Sequence, residues 1–210
     1  IKKKLGIDKT KTILVCFTHV YWDSTHMGLK AVSKDMMSWI EQMINFVTSN
    51  DKFQLIIRSH PGETKVPNAL KASLTIKDSL NLRFKNIPPN VKIISSKSNI
   101  SSYILAEMAD ANLVWNSTIG LELALKGLKP FVVADAYYSK KGFTNDYLNF
   151  NKLAKDLINL SKKTKINRIN SNERKFLERF CYEIRFNRKF NPPFYLDTKC
   201  ILFNYSRTFK

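Results

Sequence analysis

The 210-residue sequence is poor in the residues that build metal cages, disulfide frameworks and membrane spans. Its three cysteines, Cys16, Cys181 and Cys200, are far apart with no CxxC pair, and there are only three histidines. An odd, scattered set of thiols excludes a disulfide framework and points to a reducing compartment; so few soft ligands argue against a zinc cage. No apolar stretch approaches the ~20 residues that a membrane helix requires, and no signal-peptide pattern opens the sequence. The six glycines form neither a Walker loop nor a GxGxxG fingerprint, so nucleoside triphosphate hydrolysis and a dinucleotide fold lose support. No DxD metal-binding pair and no Ser-His-Asp arrangement can be assigned. Acid is scarce too: 17 Asp and Glu stand against 35 Lys and Arg, a net charge of +18.

That excess is uneven. From Lys152 to Lys210, 59 residues, fifteen cations face five carboxylates. Such a field favours nucleic acid, anionic lipid headgroups or anionic sugar substrates. Lysine drift in an AT-rich genome is the bland alternative, because Lys, Asn and Ile are all abundant. Hydrophobic content of 44% and aromatic content of 12% mark a globular chain, long enough for one large domain or two small ones. The first residue is Ile1 rather than Met, and a fragment of a larger protein is expected.

What the sequence does contain is an alternation of short apolar runs and helical periodicity. Thr12–Phe17, Phe53–Ile57, Val91–Ile94, Leu113–Trp115 and Phe131–Val133 read as strands covered on both faces. Between them lie helical patterns: Ser33 to Asn50, Asn68 to Ser79, Ile100 to Ala109 behind a Ser98-Asn99 cap, and Ile119 to Lys126 with Gly127 as its stop. This order predicts an α/β fold, a parallel Rossmann-like sheet with helices on both faces. From Tyr147 the pattern becomes helical only, over Leu148–Leu160 and Ser171–Lys189, the latter opening on a Ser171-Asn172-Glu173 cap. The expected division is therefore a Rossmann-like domain, 1–146, and a basic helical extension, 147–210, packed on it. The aromatic, basic tail from Phe194 has no assignment.

Two strand ends concentrate the chemistry. Phe53–Ile57 is closed by Arg58-Ser59-His60-Pro61-Gly62-Glu63, and the run ending in Trp115 by Asn116-Ser117-Thr118-Ile119-Gly120-Leu121-Glu122. In an open parallel sheet such ends gather at the carboxyl edge, where ligands bind. Proline holds His60 extended at the strand tip, where an imidazole suits a phosphate or a pyrimidine ring; a turn histidine that happens to precede proline is the alternative. Glu63 either touches a ligand or caps the next helix. A helix beginning at Ser117 or Thr118 would aim amide groups at an anion, and Glu122 suits a ribose hydroxyl. The alternative there is an ordinary capped helix, with Gly120 allowing close packing. A third loop, Asp135–Asp146, carries Lys140 and Lys141, which suit a donor phosphate, and Gly142, which permits close backbone approach; solvated lysines are the alternative. Trp22, Asp23 and His26 form a fourth cluster, with Asp23 a weak candidate for catalytic acid or base.

In order along the chain, Leu5-Gly6-Ile7-Asp8, Trp22-Asp23, Met36 with Trp39, Ile57–Glu63, Ile100–Tyr103, Ala109-Asp110, Asn116–Glu122 and Lys141–Thr144 resemble the capsule polysaccharide biosynthesis proteins. This family is related to the bacterial capsule Kdo transferases. The likeness spans about Leu5 to Asp146 and rests on joint spacing. It implies one half of a GT-B glycosyltransferase, the donor-binding domain, with His60, Pro61, Ser117, Thr118, Gly120 and Glu122 at an activated sugar nucleotide. Kdo or a similar sugar on CMP is the implied donor, with UDP- or GDP-linked sugars open. The acceptor would be a saccharide or a lipid-linked saccharide, and a preceding GT-B domain would supply the acceptor site and the catalytic base. No cofactor or metal is expected. A cytoplasmic location follows, with the basic tail suited to the inner, anionic membrane face. The rival reading is a basic module for nucleic acid or membrane without catalysis; no nucleic-acid recognition motif supports a specific nucleic-acid partner.

Overall fold

The computed structural model describes residues 5–20, 30–64, 75–162 and 168–187. Six strands form one sheet: β1 Thr12–Phe17, β2 Phe53–Arg58, β3 Val91–Ile94, β4 Ala111–Val114, β5 Phe131–Val132 and β6 Asn145–Asp146. Their order is β3-β2-β1-β4-β5-β6, and every pairing is parallel. This is the α/β, Rossmann-like arrangement expected from the alternating pattern.

The apolar runs are continuous because both faces of the sheet are covered. Within β1, Leu14 and Cys16 point into one core and Ile13, Val15 and Phe17 into the other. The first core receives α1 (Met36–Thr48), α2 (Ile76–Arg83) and α5 (Phe150–Leu160). The second receives α3 (Ser102–Glu107) and α4 (Ile119–Leu125). Along α1, Met36, Ile40, Met43, Ile44 and Val47 recur at helical spacing and are all buried. Each such aliphatic side chain contributes about 1.5–3 kcal/mol by leaving water. Burial pushes the Cys16 thiol far above its ordinary value, so it behaves as a small core residue.

Polar residues inside strands are there because they have partners. Gln54 in β2 is buried, accepting from the Asp8 amide and donating to the Gly6 carbonyl, so it pins the lead-in segment to the sheet. Asp110, just before β4, accepts from the Ile13 amide at 2.7 Å while its own amide donates to the Ile13 carbonyl. Asn112 in β4 donates to the Ala106 carbonyl and ties the strand to α3.

Helix starts differ from the expected ones by a few residues, each for a local reason. The first helix begins at Met36 rather than Ser33 because Asp35 is the residue whose side chain accepts the Ser38 amide. For α2, Thr75 and Asp78 form a reciprocal capping box; the expected start at Asn68 lies outside the described residues. Ser98 makes a turn, accepting the Ile100 amide, so α3 waits until Ser102. Asn170, not Ser171, caps α6 (Ser171–Tyr182): its side chain accepts the amides of Asn172 and Glu173, and Glu173 accepts the Asn170 amide. A π-helical turn, Glu183–Asn187, follows α6. The chain divides into two compact units, Ile1–Leu177 and Glu178–Lys210. No helix among the described residues is long and apolar enough to cross a membrane.

Candidate functional site

In this strand order the connections from β1 and from β4 leave in opposite directions, which opens a crevice at the carboxyl edge between them. A cleft of about 420 Å³ occupies that position. Its walls come from Phe17-Thr18 after β1, Arg58–Pro61 after β2, Ser98–Tyr103 at the start of α3, and Ser117–Ile119 with Glu122 at the start of α4. His60 and Ser117, 57 positions apart in sequence, thus share one edge and one cavity.

The β1 and β2 ends are joined to each other. Thr18 donates to the Arg58 carbonyl through both its amide and its hydroxyl, and the same hydroxyl accepts the His60 amide at 3.0 Å. His60 Nδ1 accepts the Gly62 amide at 3.0 Å. An acceptor at Nδ1 assigns the proton of the neutral ring to Nε2, making that nitrogen a donor. Gly62 is needed for this fold-back, because a Cβ there would stand 2.9 Å from His60 Nδ1. A second imidazole, His19, stacks on His60 at 6.1 Å between ring centroids and 22° between planes, and its Nδ1 accepts the Val20 amide.

Arg58 and Ser59 are among the cleft residues absent from the expected donor-binding set. Arg58 is only 4% exposed. Its guanidinium donates from Nη1 to the Ser95 carbonyl at 2.6 Å, from Nη2 to the Ser98 carbonyl at 3.4 Å and from Nε to the Ser102 hydroxyl at 3.3 Å. These bonds tie the serine-rich β3–α3 loop to the β2 end. Burial lowers its pKa below the ordinary 12.5, opposed by nearby Glu63, and it remains a cation. Ser59, beside it, is wholly buried with a hydroxyl that has no hydrogen-bond partner among the described residues. The signal was in the sequence: a cation and a hydroxyl ending a largely apolar strand have few reasons to be there other than a partner.

At the β4 end the backbone turns tightly, with the Gly120 amide donating to the Ser117 carbonyl and the Glu122 amide to the Thr118 carbonyl. Thr118 precedes α4 in helical conformation and makes no side-chain cap bond, so its hydroxyl, exposed at the cleft, is not consumed by the helix. Tyr138 supports the turn from behind. Its buried hydroxyl donates to the Ser117 carbonyl at 2.6 Å, and a Cβ on Gly120 would lie 2.2 Å from that oxygen. Gly120 is therefore required by the Tyr138 ring rather than by helix-to-strand packing. Burial pushes the Tyr138 phenol far up, so it stays protonated and donating. Trp115 turns the other way, into the core against Trp39, with 5.7 Å between ring centroids.

Glu122 projects from the first turn of α4 into the cleft wall. Its Oε2 accepts the Tyr103 hydroxyl at 2.6 Å, and Lys126 Nζ lies 5.0 Å from the centre of the Tyr103 ring. Burial, and then the hydrogen bond to Glu122, push the Tyr103 phenol up to about 12.

The remaining expected residues fall elsewhere. Glu63 sits in the short 3-10 turn Pro61–Thr64, and its Oε1 accepts the Ile76 amide at 3.3 Å, at the first residue of α2. Burial raises its carboxyl above the ordinary 4.5. Asn116 is half-buried beside the cleft without lining it. Lys141 and Gly142 are exposed and outside the lining; Gly142 has a φ of +91° and packs beneath Phe176. Lys140 pairs with Asp135 at 2.8 Å, and that contact holds the Asp135 carboxyl below its ordinary value. Trp22, Asp23 and His26 lie outside the described residues. Among the described residues no three His, Cys, Asp or Glu side chains converge as a metal site.

No protein-family model matches the sequence, and no curated protein matches it. Among solved structures the chain resembles KpsC of Thermosulfurimonas dismutans, a β-Kdo 2,4 transferase, with a TM-score of 0.50 and 14% identity over 81% of this chain and 44% of that one. The likeness is one of fold. A β-Kdo 2,7 transferase KpsC of the same organism gives a TM-score of 0.47 and 16% identity over 83% of this chain and 56% of that one, a value too low to argue from. The chain thus spans less than half the length of the first of these structures.

Proposed function

We propose that this chain is the donor-binding half of a GT-B-type glycosyltransferase that builds capsule or another surface polysaccharide. One juxtaposition carries the reading: the His60-Pro61 turn and the Ser117–Glu122 segment, from different strands, line a single cleft at the switch point of a Rossmann-like sheet. The fold likeness to a Kdo transferase points the same way. A nucleic-acid module would present a row of exposed cations, whereas this cleft is lined by a buried cation, Arg58, and by a carboxylate, Glu122.

In this reading the donor is a nucleotide-activated sugar, with CMP-Kdo or a similar CMP-linked sugar preferred. Its phosphate is held by the Ser117 and Thr118 hydroxyls and by His60 Nε2–H, with Arg58 supplying positive charge behind them. These fixed donors stabilise the charge that grows on the leaving phosphate as the sugar departs. Glu122 takes the ribose. A saccharide or lipid-linked acceptor and the catalytic base stand across the cleft on a preceding domain, so the chain binds donor but transfers no sugar alone.

A thermal-shift and calorimetric screen against CMP, UDP, GDP and their sugars tests the reading directly. One nucleotide should raise Tm in a concentration-dependent way. If none of them binds, the proposal fails. Mass-spectrometric detection of product from donor and acceptor, first with this chain and then with the preceding domain restored, tests the half-enzyme claim; robust turnover by the 210 residues alone would overturn it.

A further inference from the structure

One contact in the cleft has no part in holding phosphate and is built from residues 19 positions apart: the short hydrogen bond from the Tyr103 hydroxyl to Glu122 Oε2. Tyr103 belongs to the first turn of α3 and Glu122 to the first turn of α4, the two helices that share the second core. Both residues line the cleft. Tyr103 is 38% exposed, so its hydroxyl was not driven inward by burial of the ring. Lys126, one helical turn beyond Glu122, stands over the ring and holds it from the α4 side. A glutamate side chain has three rotatable bonds, and its carboxylate would otherwise sample several positions. The tyrosine removes that freedom, leaving Oε1 with no hydrogen bond among the described residues.

We propose that Tyr103 is a positioning residue that makes this cleft prefer ribonucleotides over 2′-deoxyribonucleotides, by holding the Glu122 carboxylate where it receives the ribose hydroxyls. The proposal rests on the nucleotide-binding reading above and adds a specificity to it. A preset carboxylate receives two adjacent hydroxyls without a further ordering cost, whereas a mobile one must be ordered by the ligand itself. A deoxyribose lacks the 2′ hydroxyl and gains little from that order. Burial and the bond to Glu122 push the phenol up, so its hydroxyl stays protonated and donating at neutral pH.

The test is calorimetry on the whole chain with CMP, UDP and GDP, followed by the 2′-deoxy counterpart of whichever binds. Wild type should favour the ribonucleotide by about tenfold, the scale of one hydrogen bond to a charged group. Tyr103→Phe keeps the ring and should cut that ratio to about threefold, acting on ribonucleotide affinity while leaving deoxyribonucleotide affinity and Tm in place. Glu122→Ala should bring the ratio to about one, and adding Tyr103→Phe to it should change nothing more. Equal binding of ribo- and deoxyribonucleotide by wild type, or an unchanged ratio in Tyr103→Phe, would overturn the proposal while leaving the nucleotide site intact. Absence of any nucleotide binding would overturn both.

Discussion

The loops that end β2 and β4 and the loop that ends β5 look alike as sequence. Each follows a short apolar strand, each is polar, and each contains a glycine. Their hydrogen bonds separate them. After β2 and β4, backbone groups are satisfied by one another and by the Thr18, His60 and Tyr138 side chains, while Ser59, His60, Thr118 and Glu122 line a common cleft. In the loop after β5, the polar side chains close on their own segment. Lys140 takes Asp135, Thr144 donates to Asp146, and Ser139 donates to the Ala136 carbonyl. Across the sheet edge this loop sends the Tyr138 hydroxyl to the backbone of the β4 end. One loop pair offers chemistry; the other braces it. Polar residues at a strand end are thus a necessary sign of a site, and the partner of each decides whether it is one.

The largest effect that would break this comparison is at the brace. Gly120→Ala puts a methyl group onto the Tyr138 hydroxyl oxygen, and the ring is too enclosed to step aside. We expect a loss of about 1–3 kcal/mol in denaturant unfolding, typical of overpacking, together with loss of nucleotide binding as the Ser117 turn is displaced. Wild-type stability in this variant would mean that Tyr138 does not hold the turn.

Next in size is the hydroxyl pair. Ser117→Ala with Thr118→Ala should weaken nucleotide binding by about 1–3 kcal/mol in calorimetry, on the scale of lost hydrogen bonds to a charged group. Stability should change little, since Thr118 makes no cap bond. Unchanged affinity would remove the β4 end from the site.

Tyr138→Phe separates the brace's hydrogen bond from its bulk. It leaves the ring in place and the Ser117 carbonyl with only the Gly120 amide, at an expected cost of about 0.5–1.5 kcal/mol in unfolding. A cost near zero would show that ring packing alone supports the turn. The smallest effect is reserved for the lysines. Lys140→Ala with Lys141→Ala should shift stability by less than about 1 kcal/mol and nucleotide affinity hardly at all, because exposed ion pairs contribute little. A tenfold loss of affinity in that variant would bring the β5 loop back to the donor phosphate and erase the distinction between the two regions.

Much of the fold was legible because its cause is local. Strands covered on both faces are largely apolar, and the β1 and β3 bounds follow the sequence runs residue for residue. β2 continues one residue past the apolar run, to Arg58, because the serine-rich loop provides carbonyls for the buried cation. β4 ends at Val114, one residue early, because Trp115 leaves the ladder to pack on Trp39. β6, two polar residues at the sheet edge, has no hydrophobic signature and exists only because β5 offers an unpaired edge.

The candidate site divides along the same line. Sequence alone determined that polar ends would gather at one edge and that Glu122 would lie on the first turn after a hydroxyl pair. Both follow from backbone restrictions within a few residues. Tertiary structure alone decided that the Tyr138 hydroxyl meets the Ser117 carbonyl, that Arg58 binds Ser95 and Ser98, and that Tyr103 meets Glu122. Those contacts join segments 19 to 40 residues apart, and no periodicity or spacing encodes them. They arise where parallel strands bring successive loops to one edge, so that each loop's unsatisfied donors and acceptors become its neighbours' partners.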